Sequence, residues 1–141
     1  MATYLEHANI TVPDIDAAIS VLMVIDPTFE VRRNETPEGS YRWVHIGTEQ
    51  HYIALEEPHL DATAPQSALP TYNNYGVNHL AWVVDDFSAV IKRLEERGHK
   101  KGMPVQTEPY RKRAYYYDSA GFEWEIVHYL SDKPEERNLY E

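Results

Sequence analysis

The sequence contains no cysteine. That excludes disulfides, a thiolate nucleophile and any zinc–thiolate site, and it fits a reducing, cytoplasmic compartment. No apolar run reaches bilayer length and no signal peptide precedes the first expected strand, so no membrane partner is expected. Positive charge is scarce: 13 Lys and Arg stand against 23 Asp and Glu, a net charge of -10. Nucleic-acid binding depends on cations that neutralise phosphate, so this balance argues against such a partner. There is also no serine-nucleophile motif, no phosphate-cradling glycine loop and no zinc-finger spacing. What remains is a chain of 141 residues, long enough for one domain with a substantial core.

The chain does have an internal repeat. The segment His7-Ala8-Asn9-Ile10-Thr11-Val12-Pro13-Asp14-Ile15-Asp16-Ala17-Ala18-Ile19 recurs as His79-Leu80-Ala81-Trp82-Val83-Val84-Asp85-Asp86-Phe87-Ser88-Ala89-Val90-Ile91. His, Val, Asp, Ala and Ile coincide without a gap, and most other positions exchange apolar for apolar. Two copies of one unit packed about a pseudo-twofold axis bring the two histidines face to face, which is how a duplicated fold builds a metal site.

Hydrophobic period and turn residues divide each copy into elements. Leu5 to Val12 alternates as a strand; Asp14 caps a helix with Ile15, Ala18, Ile19 and Leu22 on one face, and Pro27 ends it. Phe29–Arg33, Tyr41–Ile46 and His51–Glu56 follow as strands. This first repeat, residues 4–57, is βαβββ. A proline-bearing linker spans 58–75. The second repeat, 76–130, starts with a strand at Val77–Val84. A helix at Asp86–Arg97 comes next, closed by Gly98 as a C′ residue. A weak strand at Met103–Gln106 precedes stronger ones at Arg113–Tyr117 and Phe122–Tyr129, joined by the turn Asp118-Ser119-Ala120-Gly121. The tail, 131–141, is polar and caps the surface or reaches a partner subunit. The expected fold is α+β: a single domain of two βαβββ units forming a curved, partly closed sheet with helices outside.

Alternation along the strands sorts their faces. Leu80, Trp82 and Val84 belong under the second helix, and His79, Ala81 and Val83 point the other way. Ile10 and Val12 belong under the first helix, leaving His7, Asn9 and Thr11 on the open face. In the last strand Phe122, Trp124 and Ile126 form the apolar set, and Glu123, Glu125 and Val127 face away from it. Two histidines and a carboxylate on the concave side of a sheet suit a 2-His-1-carboxylate site for one divalent ion of iron, manganese, nickel or zinc. His45, His51, His59, His99 and His128 have no repeated counterpart and read as surface or satisfied core histidines. Arg32, Arg33 and Arg42 read as a solvated strand edge, and Glu95-Glu96-Arg97 as a solvated helix face.

The paired strand–helix starts, with the ending Tyr115-Tyr116-Tyr117-Asp118-Ser119-Ala120-Gly121-Phe122-Glu123-Trp124-Glu125-Ile126, resemble the vicinal oxygen chelate superfamily. That group includes glyoxalase I, the extradiol dioxygenases, and the fosfomycin- and bleomycin-resistance proteins. The resemblance spans roughly residues 4 to 130 and implies His7, His79 and Glu125 as metal ligands. The fourth ligand usual in glyoxalase I falls on Ala54, with Glu56 one strand repeat further along the same face. The three-ligand pattern is closer to the extradiol enzymes and the fosfomycin-resistance transferases. Both place a tyrosine where this chain has Tyr115, a phenol able to hydrogen-bond an oxygen at the metal. The extradiol histidine before that tyrosine is missing, and Ser119 replaces its proline. The basic loop for a phosphonate is not matched, although Arg111, Lys112 and Arg113 lie nearby, and Asn9 replaces a threonine.

The resemblance therefore implies a metal-dependent enzyme acting as a Lewis acid on a small substrate with adjacent oxygens. Tyr115 and Glu56 are its catalytic candidates, Glu56 as a base. One alternative is a bleomycin-type binding protein that traps an aromatic or cationic compound without catalysis. Another is a fosfomycin-resistance-like thiol transferase. The resemblance also implies a homodimer.

Overall fold

The computed structural model describes residues 5–58 and 77–139. The expected linker beyond Pro58, His59, Gly76 and the last two residues of the tail lie outside them. Twelve elements follow one another among the described residues: β1 (His7–Thr11), α1 (Ile15–Ile25), β2 (Glu30–Glu35), β3 (Trp43–Gly47), β4 (Tyr52–Glu56), β5 (His79–Val83), α2 (Phe87–Glu96), β6 (Lys100–Lys101), β7 (Gln106–Glu108), β8 (Arg111–Tyr117), β9 (Glu123–Tyr129) and α3 (Pro134–Arg137). They build two mixed sheets. One runs β1-β4-β3-β2, and the other runs β5-β9-β8-β6 with β7 also on β8. In each, the first strand lies parallel to the last and the remaining pairs are antiparallel. The fold is the expected α+β arrangement.

Local chemistry sets the helix ends. Asp14 Oδ1 accepts the Ala17 amide at 3.1 Å and Asp86 Oδ1 accepts the Ala89 amide at 3.0 Å, so both helices start on an aspartate cap. Gly98 ends α2 with a φ of 75°, a conformation that side chains with a Cβ resist. The end of α1 is closed from the other unit: Arg93 of α2 donates from Nε to the Val24 carbonyl at 3.0 Å and from Nη2 to the Ile25 carbonyl at 3.3 Å. Those carbonyls have no partner further along their own helix. Phe29 meets Trp82 edge-on with ring centroids 5.0 Å apart, a second contact between the units.

A shared apolar core lies beneath the sheets. Ile10, Val12, Ile15, Leu22, Val44, Ile46 and Leu55 join Val90, Leu94, Tyr116, Phe122, Trp124 and Ile126 in it. Burying each large side chain contributes about 1.5–3 kcal/mol. The alternation expected of the last strand holds: Trp124 and Ile126 are fully buried in this core.

One element differs from expectation. The single strand expected at Met103–Gln106 is replaced by two short ones, β6 ahead of it and β7 starting at its last residue, Gln106. Pro104 has no N–H to give a ladder, so pairing with β8 lapses there. Lys100 pairs with Tyr117 and Gln106 with Arg113, with Gly102 between them donating to the Tyr115 carbonyl at 2.7 Å. A Cβ on Gly102 would stand 3.1 Å from that of Tyr115, so the approach suits glycine.

Candidate metal centre

Strand register brings the second unit's site residues together. His79 is the parallel partner of Glu123, and Ala81 that of Glu125. Tyr115 and Tyr117 on β8 lie opposite Glu125 and Glu123. All these side chains therefore share one face. His79 Nε2 comes within 3.0 Å of Glu125 Oε2, and Nδ1 within 3.6 Å of Glu123 Oε1. Both carboxylates are buried, Glu123 at 5% and Glu125 at 7% relative exposure. The Tyr115 ring meets His79 edge-on at 5.6 Å.

A network from β7 and β8 supports this cluster. Arg113 donates from Nη1 to Tyr115 Oη at 3.1 Å, and from Nη2 to Gln106 Oε1 at 2.6 Å and Glu108 Oε1 at 2.7 Å. Nη1 also lies 3.9 Å from Glu125 Oε1. A guanidinium only donates, so Tyr115 Oη accepts from it and turns its own proton elsewhere. Burial pushes the Tyr115 phenol above its ordinary value, with the charge of Glu125 and a hydrogen bond to it adding in the same direction. Tyr115 is therefore a neutral donor aimed at Glu125. Tyr117 is pushed up too, chiefly by its hydrogen bond to Glu123. Arg111 also binds Glu108, and that contact is the main reason the Glu108 carboxyl lies below its ordinary range.

The first unit holds the remaining expected residues on its own sheet. His7 Nδ1 lies 2.7 Å from Glu6 Oε2, and the ring stacks on Tyr52 at 4.7 Å. Tyr52 also meets His45 at 4.7 Å and carries the Arg32 guanidinium 4.5 Å above its ring; His45 in turn meets Trp43 at 4.9 Å. Glu56 Oε1 accepts from Asn9 Nδ2 at 2.9 Å. The chain thus brings His79, Glu125 and Tyr115 together, while His7 and Glu56 sit on the other sheet. Among the described residues no three His, Asp or Glu side chains converge as a metal-holding group.

The donors of the second unit nevertheless suit an ion. Adjacent ligand atoms on an octahedral ion with bonds of about 2.1 Å stand about 3 Å apart, which is the spacing of His79 Nε2 and Glu125 Oε2. It is also the spacing of the ordinary ion pair that His79 and Glu125 make with each other when no ion lies between them.

The model of the Glyoxalase/Bleomycin resistance protein/Dioxygenase superfamily matches residues 4–126. The chain belongs to this superfamily. Superfamily proteins of known structure share the fold. One is a glyoxylase/bleomycin resistance protein/dioxygenase domain from Frankia sp. EAN1pec, 18% identical, with a TM-score of 0.73 over 94% of this chain and 96% of that one. Another is a glyoxalase-family protein from Bacillus cereus, 18% identical, with a TM-score of 0.72 over 93% and 97%. A third is the fosfomycin resistance protein FosX of Listeria monocytogenes, solved with Mn(II) and sulfate; it is 18% identical, with a TM-score of 0.65 over 97% and 98%. A search of curated proteins finds no match.

Other residues of this superfamily member behave as the sequence suggested. His128 Nδ1 lies 2.9 Å from the Val84 carbonyl, and His51 packs against Phe29 and Trp82, so both serve the structure. Arg33 is the exposed edge cation expected, paired with Glu35 at 2.9 Å. Sequence reading put Glu123 on the right face but gave it no role, although the Glu-x-Glu alternation opposite His79 was visible. Arg113, considered in the sequence only as a basic residue near a phosphonate loop, instead supports Tyr115, and its partners come from β7, the strand that Pro104 displaces.

His45 supplies a pH-dependent prediction. Burial, then the positive charges of neighbours, hold its imidazole below the ordinary 6.5. As pH falls through that value the unfolded chain takes up this proton first, so His45's contribution is complete above it and is lost below it. Urea midpoints recorded from about pH 7.5 down to about pH 5 should fall less steeply in His45→Gln than in the unsubstituted protein.

Proposed function

We propose that this protein is a divalent-metal-dependent enzyme of the glyoxalase/dioxygenase group acting on a small substrate with adjacent oxygens. The observation that carries this reading is the 3.0 Å approach of His79 Nε2 to Glu125 Oε2 on a sheet face, with the Tyr115 phenol beside them. His79 and Glu125 would hold the ion, and His7 of a second copy would complete the set. The ion when bound would supply Lewis-acid polarisation of the substrate's oxygens. Tyr115, its hydroxyl oxygen held by Arg113, would turn its O–H from Glu125 to hydrogen-bond an oxygen of the substrate. Glu56 lies on the same sheet face as His7, four residues beyond its partner Tyr52 and hydrogen-bonded by Asn9, and would be the carboxylate available as a base if the reaction needs a proton transfer.

Each chain then carries two complementary half-sites, one with His7 and one with His79 and Glu125, so the working form is a homodimer. This has a direct test. His7→Ala and His79→Ala should each abolish stoichiometric metal binding, read by plasma mass spectrometry. Mixed dimers of the two variants contain one intact site out of two and should regain about half of the wild-type metal. A site formed within one chain gives no recovery and overturns the shared arrangement. A wild type that takes up no iron, nickel, manganese or zinc overturns the enzyme reading.

A second reading, a binding module that traps an aromatic compound, draws support from the series His7, Tyr52, His45 and Trp43 on one sheet face. Tight ligand binding by metal-free protein would favour it. A fosfomycin-resistance-like role is less well supported, because Arg111 and Arg113 are both engaged by Glu108 and are not arrayed to receive a phosphonate.

A further inference from the structure

We propose that Glu123 is a positioning residue: its buried carboxylate faces the His79 imidazole on the Nδ1 side at ion-pair distance, closes to a hydrogen bond with Nδ1–H when a metal takes Nε2, and so presents Nε2 to the metal. The inference rests on the metal reading above and concerns a residue with no assigned part in it. Four observations carry it.

The first is register. Glu123 is the direct cross-strand partner of His79, and Glu125 lies two residues further along the same face. The imidazole is therefore bracketed, with Glu123 Oε1 3.6 Å from Nδ1 and Glu125 Oε2 3.0 Å from Nε2. The second is burial. An acidic side chain with 5% exposure is costly unless it is engaged, and the Glu123 carboxylate lies between the Tyr117 hydroxyl and the His79 ring. The third is the chemistry of imidazole. A neutral ring carries its proton on one nitrogen and can ligate only through the other, so a carboxylate accepting from Nδ1–H leaves the Nε2 lone pair for the metal. The fourth is recurrence. In the other half-site Glu6 Oε2 lies 2.7 Å from Nδ1 of His7, so the same ring atom of both histidines faces a carboxylate. The repeat does not explain this coincidence, because Asn78 occupies the place matching Glu6. Glu6 is closer to its ring but solvent-exposed, with its side chain 61% accessible, whereas Glu123 stands further off and is enclosed, where water screens its charge less.

Glu123 is not itself a ligand in this arrangement. It lies on the Nδ1 side of the ring, away from Glu125 Oε2.

The test uses zinc as the probe and the full chain throughout. Zinc affinity is measured by calorimetry with chelator competition for the wild type, Glu123→Gln, Glu123→Asp and Glu125→Gln. The His79 tautomer is read from long-range proton–nitrogen NMR spectra of zinc-loaded protein. Glu123→Gln should bind zinc about 10–100-fold more weakly at unchanged stoichiometry, and Glu123→Asp should recover part of the loss. The zinc-loaded wild type should show His79 protonated at Nδ1, and this signature should weaken in Glu123→Gln. Equal affinity and an unchanged tautomer in Glu123→Gln would overturn the proposal and leave the metal reading intact. Loss of zinc as complete as in Glu125→Gln would also overturn it, by making Glu123 a ligand. If Glu123→Gln does not fold, the wild-type spectrum alone decides: a proton on Nε2 with zinc bound refutes the assignment. A wild type that binds no zinc fails at the earlier step and takes this proposal with it.

Discussion

Glu125→Gln should bind zinc or manganese more than about 100-fold more weakly than the wild type while leaving the fold intact. Loss of a group that merely supports a ligand already costs about 10–100-fold, and Glu125 is a ligand in the proposed site. The fold should survive because glutamine matches the carboxylate in shape and keeps an oxygen able to accept from Tyr115 Oη. The charge it removes lies 3.9 Å from Arg113 Nη1, but that guanidinium keeps Glu108 and Gln106. Metal titration beside a denaturant melt separates the two effects. Undiminished binding with a normal melt would remove Glu125 from the site.

The second large effect is expected at a residue that touches no ligand. Asp118→Ala should lower the unfolding free energy by about 3–5 kcal/mol. Asp118 is buried at the β8–β9 turn, where Oδ1 accepts from the Ala120 and Phe122 amides at 3.0 Å each and Oδ2 accepts from Trp124 Nε1 at 3.2 Å. Alanine leaves three donors without their acceptor, and each fully buried orphan costs about 1–3 kcal/mol. The Ala120 amide lies nearer the surface and can recover a water, which keeps the total below the maximum. Asp118→Asn retains one acceptor oxygen and should fall between the two. Urea unfolding gives the magnitude. The same turn sets the register that places Tyr115 opposite Glu125, so the alanine variant should also bind metal more weakly.

Much of this was legible in the sequence because strand alternation has a period of two. Once Trp124 and Ile126 are assigned to the core, Glu123 and Glu125 must share the opposite face with His79, as they do. The helix caps were readable for a similar reason: an aspartate ahead of an apolar period needs only local geometry. The Arg113 network was not readable. It depends on which residues of β7 meet β8, and that pairing is decided where Pro104 interrupts the ladder. Nor does a repeat determine how its two copies sit against one another. Here that placement involves Arg93 reaching the end of α1 and Phe29 meeting Trp82, contacts between residues remote in sequence. The repeat suggests that the two histidines meet; within one chain each ring faces a carboxylate, and His7 lines a small pocket beside Leu80, Ala81 and Trp82 of the strand that His79 opens.

The parallel pairing of first and last strands also bears on synthesis. In each sheet the opening strand cannot find its neighbour until the closing strand has been made, because His7 pairs with Tyr52 and His79 with Glu123. Such long-range closure raises contact order and slows folding. On a ribosome the first half can complete its sheet while the second is still being translated, as units of larger chains commonly do. The second half must wait until β9 has emerged. Its acidic pair is therefore enclosed only when that sheet closes, and until then those carboxylates remain hydrated and apart from the imidazole they will flank.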